Sequence, residues 1–408
     1  MTDPATRSFL RWRAIPPGVW ALGFVSLLMD LSSEMIHALL PLYLVTVLGT
    51  SMLTVGIIEG IAEATASIVK VFSGVLSDRL GQRKLLAAIG YGLAAATKPI
   101  FPLAPDVGWL VAARFMDRIG KGIRGAPRDA LVADLSPPAV RGASFGLRQS
   151  LDTVGAFLGP LFAVGFMLLL ANDFVSVFWI AVIPGVLSVV VIIFFVHEPE
   201  RPSGQKPVRS PLSRAELARL GTAYWLVVGI ATVFTLARFS AAFLLLRAQS
   251  VGLTLALVPL VMVVMNAVYA LAAWPVGELS DRIGRFGLLA AGLALLVVAD
   301  LVLAFAGGIA AVGLGVALWG LHMGLTQGLL AALVADTAPE NLRGTAFGMF
   351  NLVIGVAMLA ASILAGALWD VAGPRGTFLT GAVFTALALA GLHFARGRIG
   401  SHSHASRA

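Results

Sequence analysis

Apolar residues run along this chain in long stretches, interrupted at near-regular intervals by short polar segments. A helix needs about 20 apolar residues to cross a hydrocarbon core of roughly 30 Å, and on that measure the pattern predicts twelve spans. They fall at 18–48, 52–77, 84–104, 107–134, 142–170 and 174–196, then at 221–247, 254–277, 286–305, 308–335, 345–370 and 376–395. The only long polar stretch, HEPERPSGQKPVRSPLSRAELARLG, separates the sixth from the seventh. Its Pro-rich first part reads as an extended tether. Ser213 followed by Glu216 is a capping-box pattern, which predicts a short helix leading into the seventh span. The expected division is residues 1–196, a linker at 197–220, and residues 221–408, whose polar end SHSHASRA is expected to be unstructured.

Composition strengthens this reading. Hydrophobic residues make up 58% and charged residues 12% of the chain, against about a quarter charged in soluble domains, so the solvent implied is lipid. The chain has no cysteine, which removes disulfides, thiol catalysis and Cys-ligated metals. The net charge of +8 does not point to nucleic acid, because Lys and Arg collect in alternate loops rather than on one face. Arg7, Arg11 and Arg13 precede the first span, Arg79, Arg83 and Lys84 follow the second, and Arg201 to Arg219 fill the linker. The loops near Gly49, Asp106, Asn172 and Gly307 carry none. Positive residues mark the cytoplasm, so both termini and the linker are expected there, in a cell membrane crossed many times. The polar, basic start is expected to carry no cleavable signal peptide.

The two halves repeat one another. Gly74 to Lys84 reads GVLSDRLGQRK, and Gly277 to Gly287 reads GELSDRIGRFG, about half a chain length later. LVADLSPPAVRGASFG from Leu131 is matched by LVADTAPENLRGTAFG from Leu333. Such recurrence predicts two copies of one membrane bundle. The pattern G-x-L-x-D-R-x-G-x-R-K between the second and third spans resembles the signature of the major facilitator superfamily of secondary transporters. Gly74, Asp78, Arg79, Gly81, Arg83 and Lys84 all fit it, and the second copy keeps Gly277, Asp281, Arg282, Gly284 and Arg285. The resemblance implies an all-α membrane protein with twelve transmembrane helices in two pseudo-symmetric six-helix halves. It also implies that Gly74, Asp78, Arg79, Gly81, Arg83, Asp281 and Arg282 serve conformational gating. Gly155, Gly159 and Pro160 resemble the fifth-span motif of the family's antiporters, which departs from the pattern at Ala163 and Val164. Arg114 fits the family's fourth-span arginine, linked to proton transfer, whereas Arg118 stands where the pattern has glycine.

The remaining signal is polar chemistry inside the spans. Asp30, Glu34 and His37 share one helical face of the first span. A charge at mid-bilayer costs at least about 2.5–3.5 kcal/mol on insertion scales, so this face is expected to meet a cavity or partner groups. Glu59 and Glu63 are one turn apart in the second span, and two carboxyls in a low-dielectric site compete for ionisation, as proton coupling requires. The matching second-half residues, Met262 and Asn266, lack that capacity. Asp30, Glu34, Glu59, Glu63 and Arg114 are therefore the candidates for proton coupling, with permanent ion pairing to neighbouring spans as the alternative. The fourth span carries Arg114, Asp117, Arg118, Lys121, Arg124, Arg128 and Asp129, among Gly120, Gly122, Gly125 and Pro127, and is expected to bend or unwind. Arg118, Lys121 and Arg124 suit an anionic or zwitterionic substrate, since guanidinium groups bind carboxylate or phosphate through paired hydrogen bonds. His37, Arg238 and Asn266 complete the expected substrate site. Arg148, Gln149 and Asp152 in the fifth span, Asp300 in the ninth, and His322 with Gln327 in the tenth also stand out.

These features favour a secondary active transporter over an enzyme. No G-x-x-x-x-G-K-[ST] phosphate loop, HExxH pair or nucleophile elbow is found, and no cofactor or metal is expected. The preferred reading is proton-coupled antiport exporting a small anionic or zwitterionic organic compound. Its alternatives are proton-symport uptake of an anionic metabolite and, further off, a non-transporting membrane receptor. The expected partners are protons, a small-molecule substrate and the lipid bilayer, with the chain acting as a monomer and binding no nucleic acid.

Overall fold

A computed structural model describes residues 14–198, 217, 219–283, 285–339 and 342–405. The capping-box pattern at Ser213 and Glu216 lies outside them, as do the side chains of Asp78, Arg79, Asp281, Arg282 and Gln327. Every regular element among the described residues is helical. In chain order they are α1 (Pro17–Leu42, extended by a π-turn at Tyr43–Val47), α2 (Met52–Leu80), α3 (Arg83–Thr97, continued by Ile100–Leu103) and α4 (Val107–Leu135). Next come α5 (Arg141–Leu169), α6 (Phe174–Phe195), α7 in two pieces (Thr222–Ala237 and Ala242–Ser250), α8 (Leu260–Ile283), α9 (Arg285–Phe305) and α10 (Ile309–Thr337). The stretch Arg343–Ala405 contains α11 (343–372) and α12 (374–405), divided at Gly373.

That last division follows from one hydrogen bond. The Thr377 hydroxyl donates to the Ala365 carbonyl at 3.1 Å, across 12 residues. A straight helix would hold those residues about 18 Å apart, so the chain reverses between them. Gly373 makes the turn with φ of 68°, a backbone conformation that glycine adopts at little cost. Among the described residues, 10 stretches are long and apolar enough to cross a membrane, and one of these, Arg343–Ala395, holds two spans. Val107–Leu135 is as long as a span but too charged to count by apolarity. The twelve spans read from the sequence are thus all present as helices. α12 continues to Ala405, into the tail expected to be unstructured.

By contacts, the chain divides into two compact units. One joins Met1–Leu39 to Ile68–Arg209, and the other joins Leu40–Ser67 to Ser210–Ala408. The end of α1 and the first half of α2 therefore belong with the second half of the chain.

The first unit packs α1, α3, α4, α5 and α6 around Leu22, Val25, Met29, Tyr91, Ala94, Leu131, Leu147 and Ile192. Glycines set its closest crossings. A Cβ on Gly120 would stand 2.7 Å from the Gly90 carbonyl, and one on Gly90 would stand 2.7 Å from the Arg124 amide. This explains why α4 stays a continuous helix over Val107–Leu135, Pro127 included, where the sequence suggested a bend or unwinding. Its glycines serve contact with α3 rather than a break. Gly155 and Gly159 do the same for α5 against α1, where added Cβ atoms would come within 2.5 Å of the Leu27 carbonyl and 2.6 Å of Glu34 Cβ. On α6, Ile183, Leu187, Phe194 and Phe195 are exposed, as expected of a face solvated by lipid.

In the second unit, the first half of α2 lies against α11. Gly56 abuts the Ser362 carbonyl, Gly366 abuts the Met52 carbonyl, and a Cβ on Gly60 would stand 2.9 Å from the Leu359 carbonyl. Asp370, at the end of α11, accepts hydrogen bonds from the Met52 and Leu53 amides at 3.0 and 2.9 Å. It thereby caps the start of α2, where free N–H groups and the helix dipole favour a carboxylate.

Candidate functional site

The first unit gathers most of the predicted polar residues into two neighbouring clusters. In the first, α1 supplies Ser33, Glu34 and His37, α4 supplies Asp117 and Arg118, and the residue after α3 is Lys98. Asp117 holds the centre. One oxygen accepts from Lys98 Nζ at 2.9 Å, and the other accepts from Arg118 Nη2 at 2.9 Å and Nε at 3.1 Å. Lys98 also donates to the Ser33 hydroxyl at 2.9 Å. Arg118 Nη2 reaches His37 Nε2 at 2.7 Å, and His37 Nδ1 lies 3.5 Å from a Glu34 oxygen. Arg118 Nη2 also lies 3.2 Å from His37 Nδ1, and because the guanidinium can only donate, the unprotonated ring nitrogen is the one that accepts. Lys98, Asp117 and Arg118 are 0–2% exposed. Two cations face two carboxylates there, so the cluster is neutral and its burial is compensated.

The second cluster joins α1, α3, α4 and α5. Asp30 lies 3.8 Å from Arg124 Nη2, and Arg124 stacks over the Tyr91 ring at 4.8 Å. Arg128 reaches Asp129 at 3.1 Å, Asp152 at 3.3 Å and the Ser26 hydroxyl at 3.2 Å. Arg148 approaches Asp152 at 3.4 Å and Asp129 at 3.9 Å. Asp30 and Asp152 thus border the same group of guanidinium side chains and lie close enough to influence one another. Lys121 is exposed at the flank of this cluster, and Arg114 is buried on α4.

Several of these contacts were not among the sequence candidates. Lys98, Ser33 and Asp152 complete the network, and Asp117, noted only as a charge on the fourth span, is its centre. Arg118 and Arg124, expected to form a cationic wall for an anion, have Asp117 and Asp30 beside them. Arg124 Nη1 is buried with no hydrogen-bond partner, so only part of its binding capacity is used.

Among the gating candidates, Gly81 takes φ of 68° in the turn from α2 to α3. Gly74 packs on α4, with an added Cβ 3.3 Å from that of Ala126. Arg83 forms an ion pair with Asp134 at 2.6 Å and donates to the Ala130 carbonyl at 3.0 Å, tying the loop to α4. Glu198, which the sequence reading left in the linker, accepts from the Arg83 and Lys84 amides at 2.7 and 3.1 Å. It caps the start of α3 as Asp370 caps α2. Pro160 lies inside α5, buried beside Gly159.

The second unit differs. The seventh span, read as continuous, is broken at 238–240, with Arg238 at φ −97° and ψ 62°. No proline or glycine causes this. Phe239 inserts among Trp319, Phe378 and Phe243, with ring centroids 5.5, 5.4 and 5.6 Å away. Ser240 donates its amide to Ser362 at 3.3 Å and its hydroxyl to Glu59 at 3.2 Å. Those partners replace the helical hydrogen bonds lost at the break. Glu59 is thus placed at the interruption of α7, while Glu63 and Asn266 are partly buried on α2 and α8. Arg238 is partly buried, stacks over Phe234 at 5.5 Å, and has no hydrogen-bond partner for its Nε. His322 and Asp300, fully buried, have no partners for either ring nitrogen or either oxygen. Among the described residues no group of three or more His, Cys, Asp or Glu is placed to hold a metal.

Comparison with known proteins agrees with this architecture. A statistical description of the Major Facilitator Superfamily matches residues 22–362 and 226–406. An MFS-type transporter of Methanocaldococcus jannaschii is 35% identical over 379 residues, covering 91% of this chain and 93% of its own. The quinolone resistance protein NorA of Staphylococcus aureus is 26% identical over 183 residues, 45% of this chain and 46% of its own. In fold, the chain is similar to the nucleoside transporter NupG, with a TM-score of 0.78 at 12% identity over 94% of this chain and 99% of that one. It is also similar to a bacterial homologue of the human lysosomal transporter Spinster, with a TM-score of 0.74 at 15% identity over 98% and 99%.

Proposed function

Given that this chain belongs to the Major Facilitator Superfamily, and so is a multi-pass membrane transporter rather than an enzyme, we propose that it is a proton-coupled antiporter. Its cargo in this reading is a small anionic or zwitterionic organic compound, moved out of the cell across the plasma membrane, with both chain termini in the cytoplasm. The observation that carries the reading is the buried group of carboxyls, Asp30 and Asp152, bordered by Arg124, Arg128 and Arg148 within the spans.

The chemistry is a competition. When the pair is ionised, its carboxylates hold the ammonium group of a zwitterionic cargo while the neighbouring guanidinium groups hold its anionic end. When a proton binds the pair, one negative charge is removed, the ammonium group loses its partner and the cargo is released. Proton and cargo then occupy the site in alternation, which is what antiport requires. His37, between Glu34 and Arg118, offers a titratable neighbour through which protonation of one cluster is felt at the other. An anionic group on the cargo is supported by the unfilled Nη1 of Arg124 and the exposed Lys121. Export is supported by the partial similarity to a resistance protein and by the fifth-span pattern at Gly155, Gly159 and Pro160.

The test is flux in proteoliposomes. A panel of organic acids and zwitterions is screened for ligand-induced thermal stabilisation, and hits are followed under an imposed pH gradient. Cargo should move against the proton gradient's direction, and Asp30→Asn should sharply lower gradient-driven accumulation while leaving cargo exchange intact. Flux that ignores the gradient would remove proton coupling, and cargo moving with the proton would replace antiport by symport.

A further inference from the structure

Asp300 on α9 is used by nothing described so far. Its surface is 0% exposed, and neither carboxyl oxygen has a hydrogen-bond partner. A Cβ on Gly381 of α12 would stand 2.7 Å from its Oδ2 and 3.3 Å from Cε1 of Phe239, so carboxyl, glycine and ring meet at one point. The charged and titratable groups on the neighbouring elements lie against other residues. Arg247 donates to the Leu303 and Ala306 carbonyls at 2.9 and 2.5 Å, and Arg375 stacks on Phe305 at 4.4 Å. His322 lies against Phe234 and Trp319 at 5.8 and 5.9 Å, Arg238 lies over Phe234, and Glu59 takes the Ser240 hydroxyl.

A carboxylate left alone in such a place is one of the costliest groups a membrane protein can hold. Something must neutralise it. A metal cation needs several oxygen ligands, and an aromatic edge and a glycine supply none. A proton needs only the carboxyl itself. The acid also contributes no hydrogen bond that would explain it as scaffold, and an apolar residue of similar size would fill the space without the cost. What distinguishes its position is the cover. Phe239 sits in the break of α7 at 238–240, where a small change in backbone torsions turns the ring, and interrupted helices of this kind are where transporters place ion sites.

We propose that Asp300 is a proton-binding site of the second unit, separate from the Asp30–Asp152 pair, and that Phe239 governs its access to water. The inference rests on the proton-coupled reading for its role in transport, though not for its titration. In the closed arrangement the carboxyl carries its proton. When the α7 break moves and water enters, the O–H bond breaks, the proton passes to water and a carboxylate remains. It is reprotonated from water in the other phase of the cycle.

Two measurements on the purified full-length protein in lipid nanodiscs and proteoliposomes test this. Infrared spectroscopy should show a protonated-carboxyl stretch that is missing in Asp300→Asn and that disappears as pH is raised. Phe239→Ala should speed its shift on transfer to deuterated water, which keeps the test valid should Asp300→Asn fail to fold. In flux, each coupled proton multiplies attainable accumulation about tenfold per unit of pH gradient. Asp300→Asn should therefore lower that ratio about tenfold per unit while leaving gradient-free exchange within about twofold of wild type. A band that persists at every pH tolerated by the folded protein, with wild-type flux in Asp300→Asn, overturns the proposal. If the band titrates but wild-type flux ignores the gradient, the site stands and the coupling reading fails instead.

Discussion

The two units differ in how buried charge is arranged. In the first, the charges form a connected network, Lys98 and Arg118 with Asp117, Arg124 with Asp30, Arg128 and Arg148 with Asp129 and Asp152, although Arg124 Nη1 and Arg148 Nε make no hydrogen bond among the described residues. In the second, Arg238, Asp300 and His322 stand apart with hydrogen-bonding atoms unfilled. Yet the halves repeat one another in sequence, down to the LVAD stretch that ends both α4 and α10. One helical scaffold therefore accommodates either a dense, neutral network or a few isolated ionisable groups. The first arrangement resists loss of any single member. In the proposed reading, the second supplies places for a proton or an anion.

This contrast can be broken by substitution. The largest effect is expected in the first unit. Asp117→Asn strands two buried cations, and removing one partner of a buried pair costs about 3–5 kcal/mol. The expected result is a strongly lowered unfolding midpoint in detergent, partly recovered when Lys98→Met is added. In the second unit the sign should change. Arg238→Met and His322→Phe each remove an unpartnered group, and replacing such a group with an apolar one of similar shape is neutral or stabilising. Their unfolding midpoints should equal or exceed that of the parent, and Arg238→Met should weaken anion-dependent stabilisation. A large loss of stability in either would show that the second unit pairs its charges after all. The smallest effect sharpens the comparison at its exception, Asp370, an exposed carboxylate of the second unit that does have partners. Asp370→Ala removes a helix cap, a change costing about 1 kcal/mol, and thermal unfolding of the purified protein would register it as a modest downward shift.

Much of the architecture was legible from hydropathy alone, because lipid imposes a minimum length on every span and leaves little freedom in between. The charged fourth helix was legible too, since its repeat partner in α10 is nearly uncharged. What the sequence hid were features whose causes lie far away along the chain. The break of α7 has no glycine or proline to announce it. It arises from an aromatic cluster drawn from α7, α10 and α12, and from Ser240 bonding to Glu59, 181 residues distant. Asp152 on α5 joins Asp30 in one charged cluster, and no spacing rule links it to α1. Lys98 lies inside the third expected span, 84–104, as a single basic residue that no spacing ties to Asp117, and Glu198 and Asp370 act through backbone amides, which carry no sequence signature. Glycines misled in one place. Those of α4 suggested weakness, but a glycine facing a second glycine on α3 gives close contact, and a single chain read alone does not distinguish the two.

The charge carried by Val107–Leu135 has a bearing on how the protein is made. A segment with so many ionised side chains has little tendency to leave the translocation channel for lipid by itself. Asp30, Ser33, His37 and Lys98 emerge from the ribosome earlier, so several of its partners are already in place when it arrives. Arg148 and Asp152 follow on the next helix, and the full set of countercharges exists only once that hairpin is complete. The fourth helix should therefore enter the bilayer as a member of a group, and truncated chains ending before α5 should hold it poorly.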